Sequence, residues 1–361
     1  MSSSSYQTGT AAVVHASLVA APSRRVAVDM PLPAGPITLP LAALLDDKDG
    51  TLLDTLMHFA ARIGVALQAA SIPASLARSG TVGRIGVPRE SIALMLEKGM
   101  LLGSTIGSDA LEPVPRLWRG LQRRAGVFVD LQRCGTAERA EMRDVLLLSQ
   151  RVPEWPGLRR SAGEGDTVAA QWLRARQAAE VAYQRAVAED RRVLLVTPIG
   201  RSTDAHRYLR DAMDRQARLH RLPAPRSVKA ALLSSLIGAH DGDVRWLVAS
   251  VTPIHELRTM MSEVLDDITP WPVLSIGTDV TCCDLRHRDT ATRDPMSLLL
   301  ALVTLLEEGG HRTHAATLLD AILLTDAASR RMREELGGTL DVPSNEFLDG
   351  VVANFGRMRI V

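Results

Sequence analysis

Short runs rich in aliphatic and β-branched residues alternate with longer helix-forming stretches along most of this chain, and that alternation limits the available folds more than any other feature. The strand-like runs are RRVAVD (24–29), GMLLGST (99–105), GVFVDLQ (126–132), DVLLLSQ (144–150), RRVLLVTP (191–198), VRWLVASV (244–251) and PVLSIGTD (272–279). Apolar spacing predicts helices around 51–68, 89–98, 167–189, 203–220, 254–267, 295–308, 312–324 and 345–355. A helix between two strands returns the chain to the same end of a sheet, so the pattern predicts an α/β fold with a largely parallel sheet. The best-punctuated element is RDPMSLLLALVTLLEEGG (293–310): Asp294 suits the N-cap, Pro295 the first helical position, and Gly309 and Gly310 the stop. Gly/Pro-rich passages at 31–36 and 152–166 read as loops.

With 361 residues, 46% of them hydrophobic, the chain can fill a large core as two domains or one large α/β unit. Its 42 Lys and Arg nearly balance 41 Asp and Glu, so no overall field draws it to nucleic acid or to an anionic membrane. No run reaches the roughly 20 apolar residues of a membrane span. Three cysteines, Cys134, Cys282 and Cys283, are too few and too unevenly spaced for a disulfide framework, which fits a reducing cytoplasm. Residues 1–24 contain AAVVHASLVAAP without a basic segment before it, and read as a disordered tail and not a signal peptide.

Chemistry-bearing motifs are few. DDKDG (46–50) lacks the ligand spacing of a calcium loop, HDGD (240–243) reads as a helix-to-strand turn, and GEGD (163–166) lacks the strand and spacing of a phosphate loop. His255 and Glu256 read as helix surface. Cys282 and Cys283 sit in a polar, cationic loop, TDVTCCDLRHRDTAT, where Arg286, His287 and Arg288 would lower a thiol pKa; buried, unreactive thiols are the plainer reading.

RDPMSLLLALVTLLEEGG, HAATLLDAILLT and SNEFLDGVVANF resemble, in sequence and spacing, the C-terminal region of the isocitrate and isopropylmalate dehydrogenases, the β-decarboxylating dehydrogenases. Upstream, GVPRESIALMLEKGMLLGSTIG, LWRGLQRRAGVFVDLQR, RDVLLLSQ, RQAAEVAYQRAVAEDRRVLLVTPIGRSTD and LVASVTPIHELRTMMSEVLDD follow the family's order over residues 25 to 360. The resemblance implies that family's two-domain fold, with 25–125 and 270–361 in a large domain and 126–269 in a small central domain carrying a dimer interface. Helices 203–220 and 254–267 are expected at that interface, with Leu257, Met260, Met261, Val264 and Leu265 presenting an apolar face.

The family's reaction needs aspartates on a divalent metal, arginines for substrate carboxylates and a tyrosine–lysine pair for proton transfer. On the aligned positions this chain carries Arg258, Ser262 and Lys229 for the metal aspartates, Arg201 for the lysine and Pro156 near the tyrosine. Gln122, Gln132 and Ser149 fall on the three substrate arginines, with Arg123, Arg133 and Arg151 close by. The cofactor loop becomes TCCDLRHRD from Thr281, placing Arg286 on the ribose-binding aspartate. An arginine there disfavours NAD and suits the 2′-phosphate of NADP, or else the loop has been released from cofactor binding.

These departures imply a pseudoenzyme: a non-catalytic or regulatory homologue, a homodimer or the companion of a paralogous catalytic subunit, with no resident metal. The ligand-binding candidates are Lys229, Arg258, Arg201, Arg123, Arg133 and Arg151, around a small anion; Arg286, His287, Arg288 and Asp294 are the cofactor candidates, with NADP the nucleotide they would suit. The alternative is a redirected, metal-independent NAD(P)-linked enzyme acting on a small carboxylic acid.

Overall fold

A computed structural model describes residues 36–45, 50–73, 100–104, 128–134, 145–150, 168–198, 204–239, 244–261, 271–278, 281–285, 295–335 and 344–360. In chain order these form β1 (Ile37–Leu45), α1 (Gly50–Arg62), β2 (Val65–Pro73), β3 (Met100–Ser104), β4 (Val129–Cys134) and β5 (Val145–Gln150). Then come α2 (Val168–Glu189), β6 (Arg192–Thr197), α3 (Asp204–His220), β7 (Arg226–Lys229), a single 3-10 turn (Ala230–Leu232) and α4 (Leu233–Gly238). The remainder is β8 (Trp246–Ser250), α5 (Ile254–Met261), β9 (Val273–Ile276), β10 (Thr281–Leu285), α6 (Pro295–Glu308), α7 (Arg312–Glu335) and α8 (Ser344–Ile360). The fold is α/β. The expected strand at 24–29 and helix at 89–98 lie outside the described residues.

The chain divides into two compact units, one of residues 1–118 and 283–361, the other of 119–282, with the later boundary inside β10. In the first unit β1 lies between β2 and β3 and pairs with both in parallel. The helix expected over 51–68 stops at Arg62, because Gly64 takes a φ of 80° and the chain turns directly into β2. Helix α6 spans the range expected from sequence and ends on its glycine pair. A Cβ on Gly309 would lie 2.5 Å from Leu39 Cδ2, and Gly310 has a φ of 83°, so each glycine answers a different constraint. Helix α7 outruns its expected end at 324 by eleven residues. The apolar spacing stops there, but the hydroxyls of Thr325 and Ser329 bond back to Ala321 and Thr325 carbonyls, and Asn354 on α8 donates to Thr325 Oγ1 at 2.9 Å.

In the central unit the strand order is β9-β4-β5-β8-β6-β7. β5, β8, β6 and β7 are parallel, and β4 runs antiparallel to both β5 and β9, so the sheet is mixed. β5 and β8 are buried on both faces, which is why VLLL and WLVA read as unbroken apolar runs. One face carries Cys134, Val145, Leu147, Val196, Trp246, Val248 and Val273 against Ile254, Leu257 and Met261 of α5 and Leu233 and Ile237 of α4. The other face receives α2, which buries Ala175, Ala178, Ala179 and Ala182 and also packs against α3.

Leu257 and Met261 are fully buried and Met260 partly so, all within their own unit's core. Each full burial is worth about 1.5–3 kcal/mol. Leu257 and Met261 are therefore taken up by their own unit's core, Met260 keeps part of its surface exposed, and Val264 and Leu265 lie outside the described residues. Among the described residues no helix is long and apolar enough to cross a membrane.

Candidate functional site

Because β5, β8, β6 and β7 run in one direction, their carboxyl ends lie on one edge of the central sheet, the edge at which open α/β sheets place ligands. Strand register sets a polar row just inside that edge. Ser275 on β9 pairs with Asp130 on β4, Asp130 with Ser149 on β5, and Ser149 with Ser250 on β8. Residues paired in register share a face, and strands lie about 4.8 Å apart, so the row extends roughly 14 Å across the sheet. It lies on the α5 face, directly beyond the apolar core, and every member is at most 7% exposed.

Buried polar groups are costly unless bonded, and these are bonded. Ser275 Oγ donates to Asp130 Oδ1 at 2.6 Å. Ser149 Oγ donates to the Thr252 carbonyl at 2.8 Å, and the Thr252 N–H donates to Ser250 Oγ at 2.9 Å. Thr252 lies in the turn that launches α5, whose first intrahelical bonds run from the Glu256 and Leu257 amides to the Pro253 carbonyl. Gln132, one step further from the edge on β4, donates to the Trp271 carbonyl at 2.9 Å. Both described positions expected to replace substrate arginines, Gln132 and Ser149, therefore use their donors inside the protein.

Of the cationic candidates, Lys229 ends β7 at the carboxyl edge, exposed and paired in register with Thr197 on β6. Arg258 is half-buried on α5. Their segments adjoin, since Ser234 Oγ on α4, five residues after Lys229, donates to the carbonyl of Met260, two residues after Arg258. Two cations repel a divalent ion and offer no oxygen ligand, so the residues present at these positions do not fit the metal that the resemblance implies. Among the described residues no group of three His, Cys, Asp or Glu is placed to hold a metal.

Arg133 is elsewhere. It lies at the far end of β4, at the amino edge of the parallel strands, opposite Leu146. Its guanidinium packs over the Trp271 ring at 5.1 Å and reaches Glu189 Oε2 at 3.4 Å. Glu189 also takes Arg185 at 3.7 Å and Arg191 at 2.7 Å, and the fully buried Arg191 side chain further donates to the Trp246 carbonyl. The structure thus places Arg133 and Lys229 at opposite edges of the sheet, with three strands between theirs.

The remaining candidates, Arg201, Arg123, Arg151, Arg286, His287, Arg288 and Asp294, lie outside the described residues, as do Ser262, Pro156, Gln122 and the HDGD and GEGD turns. The start of the expected cofactor loop is corrected: Thr281–Leu285 is a strand, with Cys282 and Cys283 both buried and neither in a disulfide. Adjacent strand residues face opposite sides, so burial of both means that both faces of β10 are covered. His255 and Glu256 lie exposed on α5.

Sequence reading missed Ser250, Thr252, Ser275 and Asp130. Ser250 closes an apolar strand, Ser275 and Asp130 lie within short strands, and Thr252 lies in the turn after β8; these signals gain meaning only once register aligns them. Shifted titrations fall instead on the α2–α3 layer. Burial, reinforced by Asp214, raises the Tyr183 hydroxyl to about 12. Burial, reinforced by Arg210, lowers His206 below its ordinary value.

No protein-family model matches the chain, and no curated protein matches it in sequence. Among solved structures, the TT0538 protein from Thermus thermophilus is similar, with a TM-score of 0.64 and 16% identity over 88% of this chain and 68% of that one. At that identity the likeness is one of fold.

Proposed function

We propose that this protein is a non-catalytic relative of the β-decarboxylating dehydrogenases, sharing their two-domain fold, and that the carboxyl edge of its central unit binds a small polyanion without a metal. The observation that carries the reading is the inward use of Gln132 and Ser149, where the resemblance expects arginines on a substrate carboxylate. Neutral side chains bonded to Trp271 and Thr252 supply no charge to a substrate. Lys229 and Arg258, on adjoining segments, replace acidic metal ligands with positive charge. A carboxylate or phosphate is the complementary ligand, because charge-assisted bonds to oxyanions are stronger than neutral ones.

A thermal-shift panel tests this. Citrate and pyrophosphate should each raise the melting temperature in EDTA, with magnesium or manganese adding nothing, since a ligand stabilises by binding the folded state preferentially. Stabilisation by isocitrate or isopropylmalate that requires magnesium, accompanied by NAD(P)H formation, would refute the reading.

A further inference from the structure

We infer that Ser149 and Ser250 are positioning residues, a two-point latch on the β8–α5 turn that fixes Arg258 for the anion; the inference rests on the anion-binding reading above. Thr252 offers the turn two backbone groups, and both are taken. Its N–H goes to Ser250 Oγ, two residues back, a local bond that shapes the turn. Its carbonyl goes to Ser149 Oγ, 103 residues away in sequence, which anchors that turn to the neighbouring strand. The local bond sets the bend, and the long-range bond sets where the bend sits.

Pro253 follows immediately and its carbonyl receives the first amides of α5, so the latch determines where that helix begins. Ile254, Leu257 and Met261 hold the helix against the sheet by apolar contact, which is non-directional. Hydrogen bonds fix what such contact leaves loose, namely the translation of the helix along the edge. Arg258 lies within the first turn and a half of α5 and moves with it. A side chain on a rigid element whose origin is bonded holds a binding geometry more closely than one on a loop.

The test is titration calorimetry of the full-length protein with citrate in EDTA, together with amide exchange along α5. Ser149→Ala should weaken citrate binding about five-fold, the worth of one lost hydrogen bond, and speed exchange of α5 amides while other amides keep their protection. Ser149→Thr, which keeps a hydroxyl, should restore both. Ser149→Cys, close in size and a weaker donor, should fall between them, and supplies the measurement if the alanine variant does not fold. Ser250→Ala should act in the same direction. Unchanged citrate affinity in Ser149→Ala beside a wild type that binds would overturn the latch and leave the anion reading standing, even if the variant melts earlier. A wild type that binds neither citrate nor pyrophosphate would overturn both.

Discussion

At the amino edge of the central sheet one carboxylate, Glu189, gathers Arg133, Arg185 and Arg191; at the carboxyl edge three serines and an aspartate lie in one register row, Ser275 bonded to Asp130, and Ser149 and Ser250 bonded to the β8–α5 turn. Charge is concentrated at the first edge, where the Arg191 side chain is fully buried and Arg133, Arg185 and Glu189 are half-buried. At the second the buried groups are mostly neutral, and Lys229 is exposed at the rim. The amino edge uses its arginines to hold β4, the end of α2 and the start of β6 together. Under the reading proposed above, the cations of the carboxyl edge, exposed Lys229 and half-buried Arg258, serve a ligand instead. On that reading the first edge is structural and the second binds.

The contrast can be broken most directly at Glu189. Glu189→Ala strands the fully buried Arg191 without its carboxylate, and should cost about 3–5 kcal/mol in denaturant unfolding. Replacing Glu189 and Arg191 together by leucine and methionine should recover most of that loss. A single-variant cost below about 1 kcal/mol, the range of an exposed pair, would mean that the amino edge is not held by charge.

At the carboxyl edge Asp130→Ala removes the acceptor of the Ser275 hydroxyl and should cost about 1–3 kcal/mol, less than Glu189→Ala, because a buried hydroxyl without its acceptor costs less than a buried guanidinium without its carboxylate. A larger loss than at Glu189 would invert the comparison. His206, near the start of α3 on the carboxyl-edge side, should contribute a smaller effect confined to acid. Its folded pKa lies below the ordinary 6.5, so above that value both folded and unfolded chains carry it neutral and stability is complete. As the pH falls below 6.5 the unfolded chain binds a proton first, and stability drops until the lower folded pKa is passed. Urea unfolding across this range should show His206→Leu losing less stability on acidification than the wild type. The smallest effect concerns a helix end. Arg221 closes α3 with a φ of 56°, and Arg221→Gly should stabilise by about 0.5–1 kcal/mol in thermal unfolding, through relief of left-handed strain.

How far the sequence foretold this fold depended on where each element sits. β5, β6 and β8 were legible because strands covered on both faces must be apolar throughout, and α2, α3 and α6 because their spacing is regular and their ends are marked. β1 was not, since Pro40 interrupts ITLPLAALL, and β2 was absorbed into the preceding helix because one glycine, Gly64, carries the whole break. β7, RSVK, has a single buried residue and so no periodicity to read. β10 looked like a loop because TCCDL mixes polar residues with small buried thiols. At the candidate site the family resemblance suggested Lys229, Arg258, Gln132 and Ser149, but not that the last two are turned inward. Nor did it suggest the row from Ser275 to Ser250, since register between strands distant in sequence is written in no single segment.

The central claim is a polyanion site built from Lys229 and Arg258 without a metal, and calorimetric titration of citrate in EDTA into the wild type and the Lys229→Asp/Arg258→Asp protein tests it most directly. The wild type should bind with an affinity that falls as salt is added, because the attraction is between solvent-accessible charges. The double variant should lose that binding while keeping its fold by circular dichroism, and should gain a weak response to magnesium. Equal citrate affinity in the two proteins, or citrate binding that appears only when magnesium is present, would contradict the account.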